Sequence, residues 1–111
     1  MGNAAKAIEA IHFAGSDLTT NYKVINELGL DRPCFEIRIE NNSSEPILIS
    51  YDGVTDHDFL DSGREVDVLA QTNPVARSDI SRFKKGTKVY VKTFVGAKIP
   101  ITGTIYLIGY F

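Results

Sequence analysis

Phe35-Glu36-Ile37-Arg38-Ile39-Glu40 alternates apolar and charged side chains one by one. A period of two places Phe35, Ile37 and Ile39 on one face of an extended chain and the charges on the other, as in a strand buried on one side. Asn41-Asn42-Ser43-Ser44-Glu45-Pro46 follows as a connector, because Asn and Ser bond their local backbone and Pro cannot continue a ladder. Ile47 to Tyr51 then reads as the return strand of a hairpin, with Ile47, Ile49 and Tyr51 on one side and Leu48 and Ser50 on the other.

The same alternation recurs downstream. Glu65 to Ala70 is a strand with Val66 and Val68 inward, broken by Gln71-Thr72-Asn73-Pro74. Ser78 to Phe83 has the makings of a short helical turn capped by Ser78. Lys85-Gly86-Thr87 opens a strand over Lys88 to Val95, where Val89, Val91 and Thr93 alternate with Tyr90, Lys92 and Phe94. Gly96 to Pro100 connects it to Thr102–Phe111, with Ile105, Leu107 and Phe111 on one face and Tyr106, Ile108 and Tyr110 on the other. A strand apolar on both faces belongs in the middle of a sheet, covered twice or covered by a partner. Before Phe35 the spacing is mixed, and strands are expected from about Ile8.

Short strands separated by turn signals, in 111 residues, predict one all-β domain spanning 1–111. An antiparallel sandwich, jelly-roll or Ig-like, is expected. Its predicted core is Phe35, Ile37, Ile39, Ile49, Val89, Val91, Ile105 and Leu107. The single Cys34 cannot make an intrachain disulfide and is expected to be a buried spectator in a reducing compartment. No apolar run is long enough to span a bilayer, and no membrane association is expected.

Charge is uneven along the chain. Met1–Ala76 carries 5 basic against 13 acidic side chains (−8), and Arg77–Phe111 carries 7 against 1 (+6), within a net charge of −2. An acidic and a basic face would follow if the fold kept the halves apart. Arg82, Lys84, Lys85, Lys88 and Lys92 interleave with Phe83, Tyr90 and Phe94, as a surface for nucleic acid would. The acidic pI near 5.6 and the core-like alternation of those rings argue against direct nucleic-acid binding.

Chemistry has one place to reside. Asp52, Asp56, Asp58 and Asp61 with His57 could offer ligands to a hard cation. Gly53 comes too early for a calcium loop and no Glu closes it, so turn-capping carboxylates are expected instead. Ser50, His57 and Asp52 make a triad only on paper, since neighbours so close in sequence rarely align and no oxyanion hole accompanies them. No catalytic residue, metal or cofactor is expected, and the chain is read as a non-enzyme.

Phe35–Ser43 running into Ile49-Ser50-Tyr51-Asp52-Gly53, then Lys85-Gly86-Thr87-Lys88-Val89-Tyr90-Val91-Lys92, and finally Gly103-Thr104-Ile105-Tyr106 to Phe111, resemble small β-sandwich structural proteins of tailed bacteriophages. The likeness covers roughly the last two thirds of the chain and rests on turn and strand chemistry. It implies a virion component, either head decoration or head–tail, neck or tail assembly, put together in the host cytoplasm. Its partners would be other copies of itself and other virion proteins. Lys84, Lys85, Tyr106, Ile108 and Tyr110 are the candidate assembly surface. The rival expectation is a carbohydrate- or ligand-binding sandwich with Tyr51, Tyr106 and Tyr110 as its platform.

Overall fold

The computed structural model describes residues 6–69 and 83–111. Among the described residues eight strands run β1 (Ile11–Ala14), β2 (Lys23–Val24), β3 (Glu36–Ser43), β4 (Ile47–Ser50), β5 (Asp58–Leu60), β6 (Arg64–Leu69), β7 (Tyr90–Thr93) and β8 (Gly103–Tyr110), with one 3-10 turn at Gly15–Asp17. They form two four-stranded antiparallel sheets, ordered β1-β8-β3-β6 and β2-β7-β4-β5. First pairs with last, second with seventh, third with sixth and fourth with fifth. That nesting is the jelly-roll arrangement of an eight-stranded double sheet, which selects it over the Ig-like alternative.

The core lies between the sheets. Ile37 and Ile39 of β3 and Ile105 and Leu107 of β8 face Ile47 and Ile49 of β4 and Val91 of β7, all fully buried. Each contributes roughly 1.5–3 kcal/mol by leaving water. Seven of the eight predicted core residues are buried; Phe35 is only half-buried, because it precedes β3 at the sheet margin. Leu18, Ile25, Leu30, Ile101 and Cys34 complete the core from loops, where period-two reading has no purchase.

The expected hairpin between Phe35 and Tyr51 is corrected. β3 and β4 belong to different sheets, so Ser44-Glu45-Pro46 is a corner that carries the chain across the sandwich. The strand also continues through Asn41, Asn42 and Ser43. Asn41 is fully buried, its amide nitrogen donating to the carbonyls of Glu45 (3.0 Å) and Leu60 (3.1 Å) and its oxygen accepting from the Ser43 N–H (3.0 Å). A side chain expected to make a surface turn instead ties the corner to both sheets from inside.

Gly103 opens β8 with φ +86°, and any Cβ there would run into the Asn42 carbonyl of β3. Only glycine lets the first pair of this ladder close. The expected break at Gln71–Pro74 and the turn at Ser78–Phe83 lie outside the described residues, save Phe83, which bridges Cys34.

Candidate functional site

The loop between β4 and β5 holds the acidic cluster, and each of its carboxylates is already engaged. Asp52 Oδ1 accepts from the N–H groups of Thr55 (2.7 Å) and Val54 (2.8 Å) and from Ser50 Oγ (2.8 Å), while Oδ2 accepts from Thr55 Oγ1 (2.8 Å). Those two backbone donors first, then the hydroxyls of Ser50 and Thr55, hold its pKa well below the ordinary carboxylate range. Asp56 accepts from Tyr22 Oη at 2.5 Å and meets Lys92 Nζ at 3.3 Å, which also lowers its pKa, the Tyr22 bond contributing most. Asp58 accepts from Tyr51 Oη at 3.0 Å, and Asp61 caps the N–H of Ser62 at 2.8 Å.

The carboxylates therefore point to their own turns and not to a common centre. Among the described residues no three His, Cys, Asp or Glu side chains gather to hold a metal ion. The paper triad does not assemble. Ser50 is buried and bonds Asp52, whereas His57 Nδ1 accepts from the Tyr51 N–H at 3.0 Å. What the loop does is structural. Gly53, at φ +82°, lets it fold back over the Tyr90 ring, so that it covers the outer side of Ser50.

Arg82 lies outside the described residues, and the rest of the basic series is dispersed too. Lys92 is held by Asp56 and lies 4.6 Å from the centre of the Tyr22 ring, Phe83 packs on the core, and Phe94 turns outward against Phe59. Lys84, Lys85 and Lys88 remain exposed around a turn whose Gly86 N–H bonds Leu30. Interleaving of strands from the two chain halves mixes their charges, yet Glu36, Glu40, Glu65 and Asp67 still make an acidic outer strip on β3 and β6. Arg38 sits within it, 2.8 Å from Asp67, 3.8 Å from Glu65 and 3.9 Å from Glu40.

The predicted assembly residues on β8 do share a face. Tyr106, Ile108 and Tyr110 alternate with buried Ile105, Leu107 and Gly109 and stand, half-buried, on the outer side of the sheet, opposite Glu40, Arg38 and Glu36 of β3. His12 flanks them, its ring 4.8 Å from that of Tyr106 at 72°. Phe35 donates its N–H to the Tyr110 carbonyl and Cys34 bridges Phe83, so Lys84 stands at the same end of the molecule as Tyr110.

The three tyrosines of the rival reading do not form a platform. Tyr51 follows β4 in the other sheet, its ring packed on the core and 5.3 Å from His57. Burial first, and Asp58 second, raise its pKa above the usual phenol range.

A second apolar patch faces outward. Phe59 (57% exposed) and Phe94 (36%) meet at 5.4 Å on the far sheet, beside half-buried Leu48, which pairs with Phe59. Phe59 lies in the polar stretch 54–63, where no alternation marks its face, and Phe94 stands at an ordinary position of the Lys88–Val95 alternation. No family model, curated protein or solved structure matches this chain.

Proposed function

We propose that this chain is a non-enzymatic structural subunit of a tailed-phage particle, a head-decoration or head–tail, neck or tail assembly protein, acting through protein–protein contacts. The observation that carries the reading is the outer row Tyr106, Ile108 and Tyr110 on β8. The outer face of an antiparallel sheet is ordinarily polar, and aromatic and aliphatic side chains at its centre call for a cover. Jelly rolls are recurrent in viral shells, which agrees with the phage-like motifs, although a fold alone assigns no function.

The second patch, Leu48, Phe59 and Phe94, lies on the opposite outer face. Two different patches on opposite sides suit a head-to-tail contact, in which one copy's β8 face meets the next copy's Phe59 face. Such contacts close into rings or build lattices. Lys84 and Lys85 at one margin and the carboxylates of β3 and β6 at the other add a charged rim to that contact.

Ile108→Glu and Phe59→Glu test this directly. Each should reduce the assembly to a 12.2 kDa species in light scattering, with an unchanged circular-dichroism spectrum. Mixed together, the two variants should restore a species of twice that mass and nothing larger, since each keeps one intact patch. A wild type that stays at 12.2 kDa at every concentration, and is absent from particles of a phage encoding it, overturns the proposal.

A further inference from the structure

The sheet β1-β8-β3-β6 carries charge on one flank of its outer face. Along β3, Glu36, Arg38 and Glu40 stand beside the Tyr110, Ile108 and Tyr106 row, and Glu65 and Asp67 of β6 continue the strip outward. On the other flank β1 contributes His12 and Ala14. Four carboxylates share the Arg38 guanidinium, whose shortest contact is with Asp67 at 2.8 Å. Glu40 and Glu65 are direct cross-strand partners, an unfavourable pairing of like charges. The Glu36 side chain makes neither an ion pair nor a hydrogen bond among the described residues. The strip keeps a negative surplus that no described residue on this face neutralises.

The complement is on the same chain. Lys84, Lys85 and Lys88 are all exposed, and none makes an ion pair among the described residues. Hydrogen bonds fix their turn. Thr87 donates its N–H (3.0 Å) and Oγ1 (2.7 Å) to the Lys84 carbonyl. Gly86 N–H donates to the Leu30 carbonyl at 2.8 Å, and Leu30 N–H to that of Thr87 at 2.9 Å. A turn so fixed loses little freedom on docking. Glu27 and Asp31 share a shallow cleft with Lys85, yet neither comes within ion-pairing distance of it.

We propose that the occupant of the β3–β6 strip is the Lys84–Lys88 turn of a second copy of this chain. The proposal rests on the self-assembly reading above and adds the element that orients the contact. Apolar rows supply affinity, whereas charge on one flank only admits a neighbour in one orientation. Turn and strip are different surfaces, so the contact is heterologous. Each pair keeps one free turn and one free strip for the next copy.

Charge exchange is the test, read as self-association of the full chain by light scattering over a concentration series at low salt. Glu36→Lys with Glu65→Lys spares the Arg38–Asp67 pair, and Lys84→Glu with Lys85→Glu changes exposed side chains. Each double variant should associate about tenfold more weakly than the wild type, because attraction becomes repulsion. Mixed in equal amounts, the two should regain wild-type affinity, since each then meets opposite charge at both its turn and its strip. A chain carrying all four substitutions should do so alone. Should a double variant not fold, Glu65→Lys and Lys84→Glu make the same exchange with one charge each. Wild-type affinity in either double variant overturns the proposal, as does a mixture that associates no better than its parts. Either result, with Ile108→Glu still dissociating the assembly, overturns this contact alone. A wild type that never associates overturns both readings.

Discussion

Tyr22 and Asp56, 34 positions apart, are joined by a 2.5 Å hydrogen bond from phenol to carboxylate. The bond straps the β4–β5 loop to the residue that leads into β2, and Lys92 of β7 closes the cluster from the sheet between them. Three separate segments are thereby fastened on one outer face. Tyr22→Phe and Asp56→Asn should each lower the melting temperature by about 2–4 °C, a small loss for a partly exposed bond. The double variant should lose little more than either single one. Additive losses in a thermal-melt cycle would show that the strap carries no coupling.

Acid should loosen the same loop. The folded-state pKa of Asp52 is depressed by the N–H donors of Thr55 and Val54, and that of Asp56 chiefly by Tyr22. Groups with depressed folded values lend stability that is fully present above the unfolded carboxylate pKa, near 3.9, and is lost as pH falls toward their folded values. Melting temperature should drop below about pH 4 in the wild type and drop less in Asp52→Asn. In the alkaline range, Tyr51 and Tyr22 have raised values, so their stabilisation should be lost as pH climbs past about 10. Parallel acid profiles for the wild type and Asp52→Asn would remove Asp52 from this account.

The inner corner is the sharpest stability test. Asn41→Ala takes the amide away from the Leu60 carbonyl and the Ser43 N–H and leaves the Glu45 carbonyl with the Ser43 hydroxyl, and should cost about 2–3 kcal/mol in urea unfolding. Ile37→Ala, at a fully buried site, should cost about 2–5 kcal/mol. An Asn41→Ala loss below about half a kilocalorie would mean that water replaces the amide at the corner.

Self-association should weaken with salt if the charged rim contributes, because the Debye length shrinks from about 10 Å at 0.1 M to about 3 Å at 1 M. Reversal of Lys84 and Lys85 to Glu should weaken it further while the fold stays intact, both side chains being exposed. Light scattering across a salt series measures both. A mass indifferent to salt and to the reversal would leave the apolar patches as the whole interface.

The strands that alternate cleanly were legible. Ile37 with Ile39, Val89 with Val91, and Ile105 with Leu107 lie on the buried faces that their spacing indicates. What alternation cannot express is which sheet a strand joins. Ile47–Ser50 has the same pattern whether it returns beside β3 or crosses to the opposite layer, and here the buried Asn41 and the corner at Pro46 send it across. Turn chemistry at Asp52-Gly53 was readable because capping is local, and Asp52 bonds nothing beyond Ser50 and Thr55. The cleft of about 350 Å³ lined by Leu18, Thr93 and Ile101 was not, since those residues come from three segments that only the completed sandwich brings together.

The nested pairing also orders events during synthesis. Of the four nested pairs, β4 and β5 are the closest in sequence; β3 and β6 close over them, and β2 with β7 completes its sheet once Thr93 has emerged. β8 is made last yet lies between β1 and β3, at the centre of the other sheet. Until Gly103–Tyr110 leaves the ribosome, β1 has no neighbour to pair with and β3 has a partner on one side only. The sheet β1-β8-β3-β6 can therefore be completed only after translation of residues 103–110. A nascent chain stalled before Gly103 would hold Ile47, Ile49 and Val91 opposite a sheet without its middle strand, a state suited to capture by a chaperone.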